Sequence, residues 1–171
     1  MLLFSAGEGI ANSVAQNETI KIKFEVDVNP PAYAGFEHKY RLMPLPYEVN
    51  MYDLPSLFAG KIHAVICRTW QNRIKGRDLY DYIFYLSKGA NVNQKHLRQR
   101  LLQSGFITPS VECTLPEIKE MLCERFDQID YAQAKADVEP FIRNPSVLNI
   151  WSADFFKQIT ESLFCDFHRI G

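Results

Sequence analysis

The 171 residues contain no apolar run of membrane-spanning length, which needs about 20 residues. Leu2, Leu3 and Phe4 give way at once to Ser5, Gly7 and Glu8, so a secretory-signal pattern is missing as well. Cysteine is sparse and scattered. Cys67, Cys113, Cys123 and Cys165 form no C-x-x-C pair, which argues against a zinc site and a disulfide framework and suits a reducing cytoplasm. His38, His63, His96 and His168 do not cluster at metal-ligand spacing either. No internal repeat or low-complexity segment is present. Net charge is only −1, so no global basic field advertises a nucleic-acid partner. Basic residues are instead grouped locally, at Arg68, Arg73, Lys75 and Arg77 and again at Lys95, Arg98 and Arg100.

What is present is one domain's worth of chain with enough apolar content for a real core. Its organising stretch runs from Leu54 to Gly89. Asp53 is placed to cap a helix, and Pro55 suits a first turn where no N–H partner is needed. Leu57, Phe58, Ile62, Val65 and Ile66 then recur near helical period, while Lys61, Ala64 and Arg68 share another face. The segment Thr69–Gly76 is polar and basic. A second helix is expected from Arg77 or Asp78, with Leu79, Ile83, Phe84 and Leu86 apolar and Gly89 as the stop. Asp78 and Asp81 share its first turn, and Arg77 can pair with Asp81 at i, i+4. Two cations on one helix thus face two carboxylates on the next, an arrangement able to hold a phosphate. Spacing alone favours ordinary solvated charges or weak ion pairs.

Upstream, Thr19–Val28 alternates as a strand. Ile20, Ile22, Phe24, Val26 and Val28 point one way, and Lys21, Lys23, Glu25 and Asp27 the other, with Asn29-Pro30-Pro31 as the end. Lys39–Leu45 and Pro46–Tyr52 read as two short strands around a proline corner, after a loop over residues 32–38. Downstream the pattern is helical. Caps are expected at Asn93, at Thr114 (a capping box with Glu117) or Ser110, at Asp130 and at Ser152, with a kink or early break at Pro140 and a turn at Asn144-Pro145. His63 is expected to pack or make a local hydrogen bond. Tyr80, Tyr82, Phe84 and Tyr85 are core candidates before they are a base-stacking platform. The expected fold is α+β: a short mixed or antiparallel sheet of about three strands followed by a helical bundle, divided at residues 1–53 and 54–171.

Three blocks carry a family resemblance: IKFEVDVNPP at Ile22–Pro31, KIHAVICR at Lys61–Arg68 and KGRDLYD at Lys75–Asp81. In this order and spacing they resemble the AbiEii/AbiGii toxin family of nucleotidyltransferases. Those proteins have a K-I-E-h-D strand (h apolar) with N-P-P, a K-x-x-A-x-x-x-R helix and a K-G-R-D-x-Y-D block. Each block alone is weak; together they are specific.

The resemblance implies transfer of a nucleotide from a nucleoside triphosphate to tRNA or a protein, with an antitoxin as partner. It implies that Lys61 contacts phosphate with Arg68 in support, and that Lys75 and Arg77 add phosphate-binding charge. Asp78 would be the general base or order the site, held by Asp81 and Arg77. Asp27, with Glu25, would ligate magnesium, whose preference for hard oxygen donors suits carboxylates. The family's Gly-Ser and Asp-x-Asp motif is not found. The chain is therefore expected to be the C-terminal part of such an enzyme, with little or no transfer activity alone. The alternative is a non-catalytic remnant that binds nucleotide, tRNA or a partner protein. A truncated sheet would expose an edge, so a homodimer is also expected.

Overall fold

The computed structural model describes residues 27–68 and 75–164. Residues 27–30 belong to one compact unit with the N-terminal residues, and Pro31 onwards forms a second. The strand expected at Thr19–Val28, with Glu25 on it, lies outside the described residues except for its last two positions.

The second unit begins with a two-stranded antiparallel hairpin, β1 (Phe36–Arg41) and β2 (Tyr47–Tyr52), in register Phe36↔Tyr52 to Arg41↔Tyr47. The first strand lies three residues earlier than the proline corner suggested. Pro44 and Pro46 have no N–H to give the ladder, so the connection occupies residues 42–46 and pairing extends back to Phe36. Among the described residues six α-helices follow: α1 (Leu54–Cys67), α2 (Gly76–Ser87), α3 (Gln94–Gln103), α4 (Leu115–Asp127), α5 (Tyr131–Val138) and α6 (Ala153–Thr160). The described architecture is α+β with a dominant helical part.

The helix starts follow from local side-chain chemistry. Asp53 Oδ1 accepts the Ser56 N–H at 2.9 Å, Asn93 accepts from His96 and Asp130 from Ala132 and Gln133. Ser152 Oγ accepts from Phe155. Thr114 and Glu117 form the reciprocal capping box. Each satisfies donors that a helix leaves open in its first turn. The α5 helix ends at Val138, and a 3₁₀ turn over Glu139–Phe141 accommodates Pro140.

The core is built on α1. Phe58, Ala59, Ile62, Val65 and Ile66 are fully buried and meet Leu79, Leu97, Leu101, Ile118, Leu122 and Phe126 from the surrounding helices. Tyr82 sits at the aromatic centre, with ring centroids 5.7–6.5 Å from Phe58, Phe126 and Phe156. Its hydroxyl and Thr160 Oγ1 are 2.7 Å apart, so the one polar atom of this ring is not orphaned. Burial pushes the Tyr82 phenol far up from its usual range. Tyr85 stacks on Phe58 at 5.3 Å, so Tyr82 and Tyr85 are packing residues. Tyr80 and Phe84 stay exposed. No helix among the described residues is long and apolar enough to cross a membrane.

Candidate active site

The first two helices form an antiparallel-style pair whose polar groups meet across the interhelical groove. Lys61 Nζ of α1 lies 2.6 Å from Asp81 Oδ2 of α2. Two turns further on, at the C-cap of α1, Arg68 Nη1 lies 2.7 Å from Asp78 Oδ2. The cations are about 10 Å apart along their helix and the acids about 5 Å along theirs, and the long Lys61 and Arg68 side chains span the difference.

This pairing differs from the local one expected within α2. Asp81 is taken by Lys61, and Arg77 instead points to α5, with Nε 3.7 Å from Asp137 Oδ2 and its guanidinium 5.6 Å from the Phe141 ring. Close packing brings the α1 cations nearer to the acids than the solvent-side Arg77 can come. Arg77 is exposed and Lys75, the residue before α2, is half-buried. Both therefore flank the cluster rather than joining its ion pairs.

The two acids are not equivalent. Asp81 and Lys61 are each more than a third exposed, whereas the Asp78 side chain keeps only 10% of its surface. Burial pushes the Asp78 carboxyl up, Arg68 and then Lys61 pull it down, Asp81 pushes it up, and Lys75 again lowers it. The Oδ2 contact with Arg68 is close but lacks hydrogen-bond alignment. Asp78 is thus a carboxylate of raised basicity held beside two cations, a combination suited to accepting a proton near a bound anion.

Two further groups shape this end of the hairpin and were not legible from motif spacing. Arg125 of α4 donates from Nε and Nη2 to the Ile66 carbonyl, at 2.9 and 2.5 Å. It anchors the last turn of α1, from which Arg68 projects. Gly76 of the K-G-R-D block is needed for packing. A Cβ there would collide with the Ala134 carbonyl oxygen and approach Val138 Cγ2 at 2.7 Å. The missing side chain lets the start of α2, and hence Asp78, press against α5.

Asp27 belongs to the other unit and is exposed; its Oδ1 accepts the Asn29 N–H at 3.0 Å. Glu25 lies outside the described residues. Among the described residues no three His, Cys, Asp or Glu side chains gather as a metal site. Asp78 and Asp81 already face cations, so this hairpin does not by itself fit a magnesium ion, which prefers several unpaired oxygen donors.

The cluster combines two cations, able to hold phosphate oxygens, with a carboxylate of raised basicity. The family described as nucleotidyl transferase AbiEii toxin, type IV toxin–antitoxin system, matches residues 5–157, and the chain belongs to that family. No curated protein and no solved structure matches it.

Proposed function

We propose that the α1–α2 hairpin receives the phosphates of a nucleoside triphosphate, in a protein whose lineage transfers a nucleotide to an RNA or protein acceptor. The observation that supports this reading is the pair of cross-helix ion pairs, Lys61–Asp81 and Arg68–Asp78, formed by the family blocks. Lys61 contacts phosphate and Arg68 supports it. Lys75 and Arg77 add positive charge at the rim. Asp78 accepts a proton from the attacking group, and Asp81 positions Lys61. In such chemistry the protein contributes mainly positioning and neutralisation of charge. An incoming triphosphate would exchange one carboxylate partner of each cation for phosphate oxygens, which bind guanidinium and ammonium groups well.

Magnesium is the proposed cofactor, held by Asp27 with Glu25 through hard carboxylate oxygens. The partners that fit a toxin of this family are an antitoxin and a second copy of the chain, and its place of action is the cytoplasm. With no Asp-x-Asp pair anywhere in the sequence, the polypeptide alone is proposed to transfer little or no nucleotide. Incubation of the purified chain with α-labelled nucleoside triphosphates, magnesium and total tRNA tests this. Label incorporation absent at all times fits the proposal. Incorporation that Asp27→Ala or Asp78→Ala abolishes would contradict it.

The second reading is a non-catalytic binding module. The same ion pairs favour it insofar as they join α1 to α2 without any ligand. Affinity for tRNA that falls steeply with salt would support that role, because phosphate contacts release counterions.

A further inference from the structure

Away from the Lys61–Asp81 pair, α1 meets α3 around a second polar feature. Gly60, His63, Ala64, Cys67 and Arg68 line with Arg100 of α3 an open cavity of about 310 Å³. Its lining has two guanidinium groups and no carboxylate. Arg68 is balanced by Asp78. Arg100 is not: among the described residues no carboxylate lies within ion-pairing distance of it. Its Nη1 sits 3.4 Å from His96 Nε2, a ring that burial keeps towards its neutral form and that is no counter-ion.

Two polar nitrogens of this lining are unsatisfied, one a guanidinium donor and one an imidazole nitrogen that donates in the tautomer with hydrogen on Nε2. Arg100 Nε and His63 Nε2 are both buried without a hydrogen-bond partner. A buried polar group left unpaired weighs against the fold, so an acceptor that reaches these atoms from the cavity would relieve both. Burial, and then the charge of Arg100, lower His63 to about 4. At neutral pH its ring is uncharged and can offer one N–H. Gly60 keeps the approach to Arg100 open, since a Cβ there would lie 3.7 Å from the guanidinium carbon.

We propose that this cavity between α1 and α3 binds a phosphoryl group, with Arg100 and Arg68 as charged donors and His63 as a neutral one. A tetrahedral dianion suits two planar guanidinium forks, which pair with its oxygens two at a time. The volume is at the small end of ligand pockets, right for a phosphate or diphosphate with little attached. The site shares Arg68 with the Asp78 ion pair, so a bound anion competes with Asp78 for that side chain. The inference shares Arg68 with the nucleotide reading of the hairpin but turns on Arg100, so Arg100→Gln and Lys61→Ala fail separately.

The experiment is an amide NMR titration of the full chain with inorganic pyrophosphate and, separately, with a nucleoside 5′-monophosphate. The proposal expects saturable shifts at Gly60, Ala64 and Arg100 with at least one probe. Pyrophosphate alone would identify a free anion as the source, and the monophosphate alone a phosphate ester. Arg100→Gln should weaken binding about ten-fold, and Arg100→Lys less, because charge survives while the fork is lost. Should Arg100→Gln fail to fold, Ala64→Leu fills the cavity from the α1 side and should abolish the same shifts. Shifts absent with both probes, or equal in wild type and a folded Arg100→Gln or Ala64→Leu variant, would overturn the proposal.

Discussion

Asp78 is placed under opposing demands, and its chemistry follows from their balance. Burial favours its neutral form, and Arg68 at 2.7 Å favours the carboxylate. Its folded-state pKa remains above the ordinary value, so the ionised group weighs against the fold: stability contributed through this site falls as pH rises through the raised pKa. Removing Arg68 should enlarge that penalty. Arg68→Met is expected to cost about 2 kcal/mol at neutral pH, less than for a fully buried pair because Arg68 is partly exposed. Urea unfolding at pH 7 and pH 5 checks this, with the deficit shrinking at the lower pH; an equal deficit at both would contradict it. His63 has the opposite sign. Its folded pKa is lowered to about 4 from the ordinary 6.5, so its stabilising contribution is present above 6.5 and disappears as pH falls towards 4. His63→Phe should flatten that part of the stability–pH curve, by about 3 kcal/mol at most and less because the ring is partly exposed and its charge is screened. An unchanged curve would mean that His63 does not titrate as its burial demands.

At the scale of elements, local chemistry was readable and tertiary approach was not. Asp53, Asn93, Thr114, Asp130 and Ser152 cap their helices as the sequence implies, because a cap depends only on the next three residues. The partner of Asp81 depends on which helix lies alongside. Within α2 the near neighbour is Arg77, yet Lys61 of α1 takes the carboxylate. The face shared by Lys61 and Arg68 was visible in the spacing, and the pairing order across the groove was not. Likewise, no periodicity reveals that Gly76 lies against the Ala134 carbonyl. Gly76→Ala should force α2 and α5 apart and lower stability by about 1–3 kcal/mol, the usual penalty for overpacking. Thermal unfolding measures this, and a neutral result would show that the contact relaxes freely.

For the whole molecule, the described sheet has only two strands, and Tyr40, Leu42, Met43, Leu45 and Tyr47 are more than half exposed on or beside it. A two-stranded ribbon is marginal by itself, and its open edges invite another strand. Self-association through this hairpin should therefore appear in sedimentation as a concentration-dependent rise in mass, which a Tyr40→Lys, Leu42→Lys double variant suppresses. A monomer at all concentrations would contradict it. The role proposed for the α1–α2 ion-pair cluster is to receive nucleotide. Calorimetric titration of each nucleoside triphosphate with magnesium, into the wild-type chain and into folded Lys61→Ala and Asp78→Asn variants, tests that most directly. Saturable binding to the wild type is expected, weakened about ten-fold or more by Lys61→Ala and altered in its pH dependence by Asp78→Asn. No binding to any triphosphate, or binding indifferent to Lys61, would mean that these charges serve only to join the two helices.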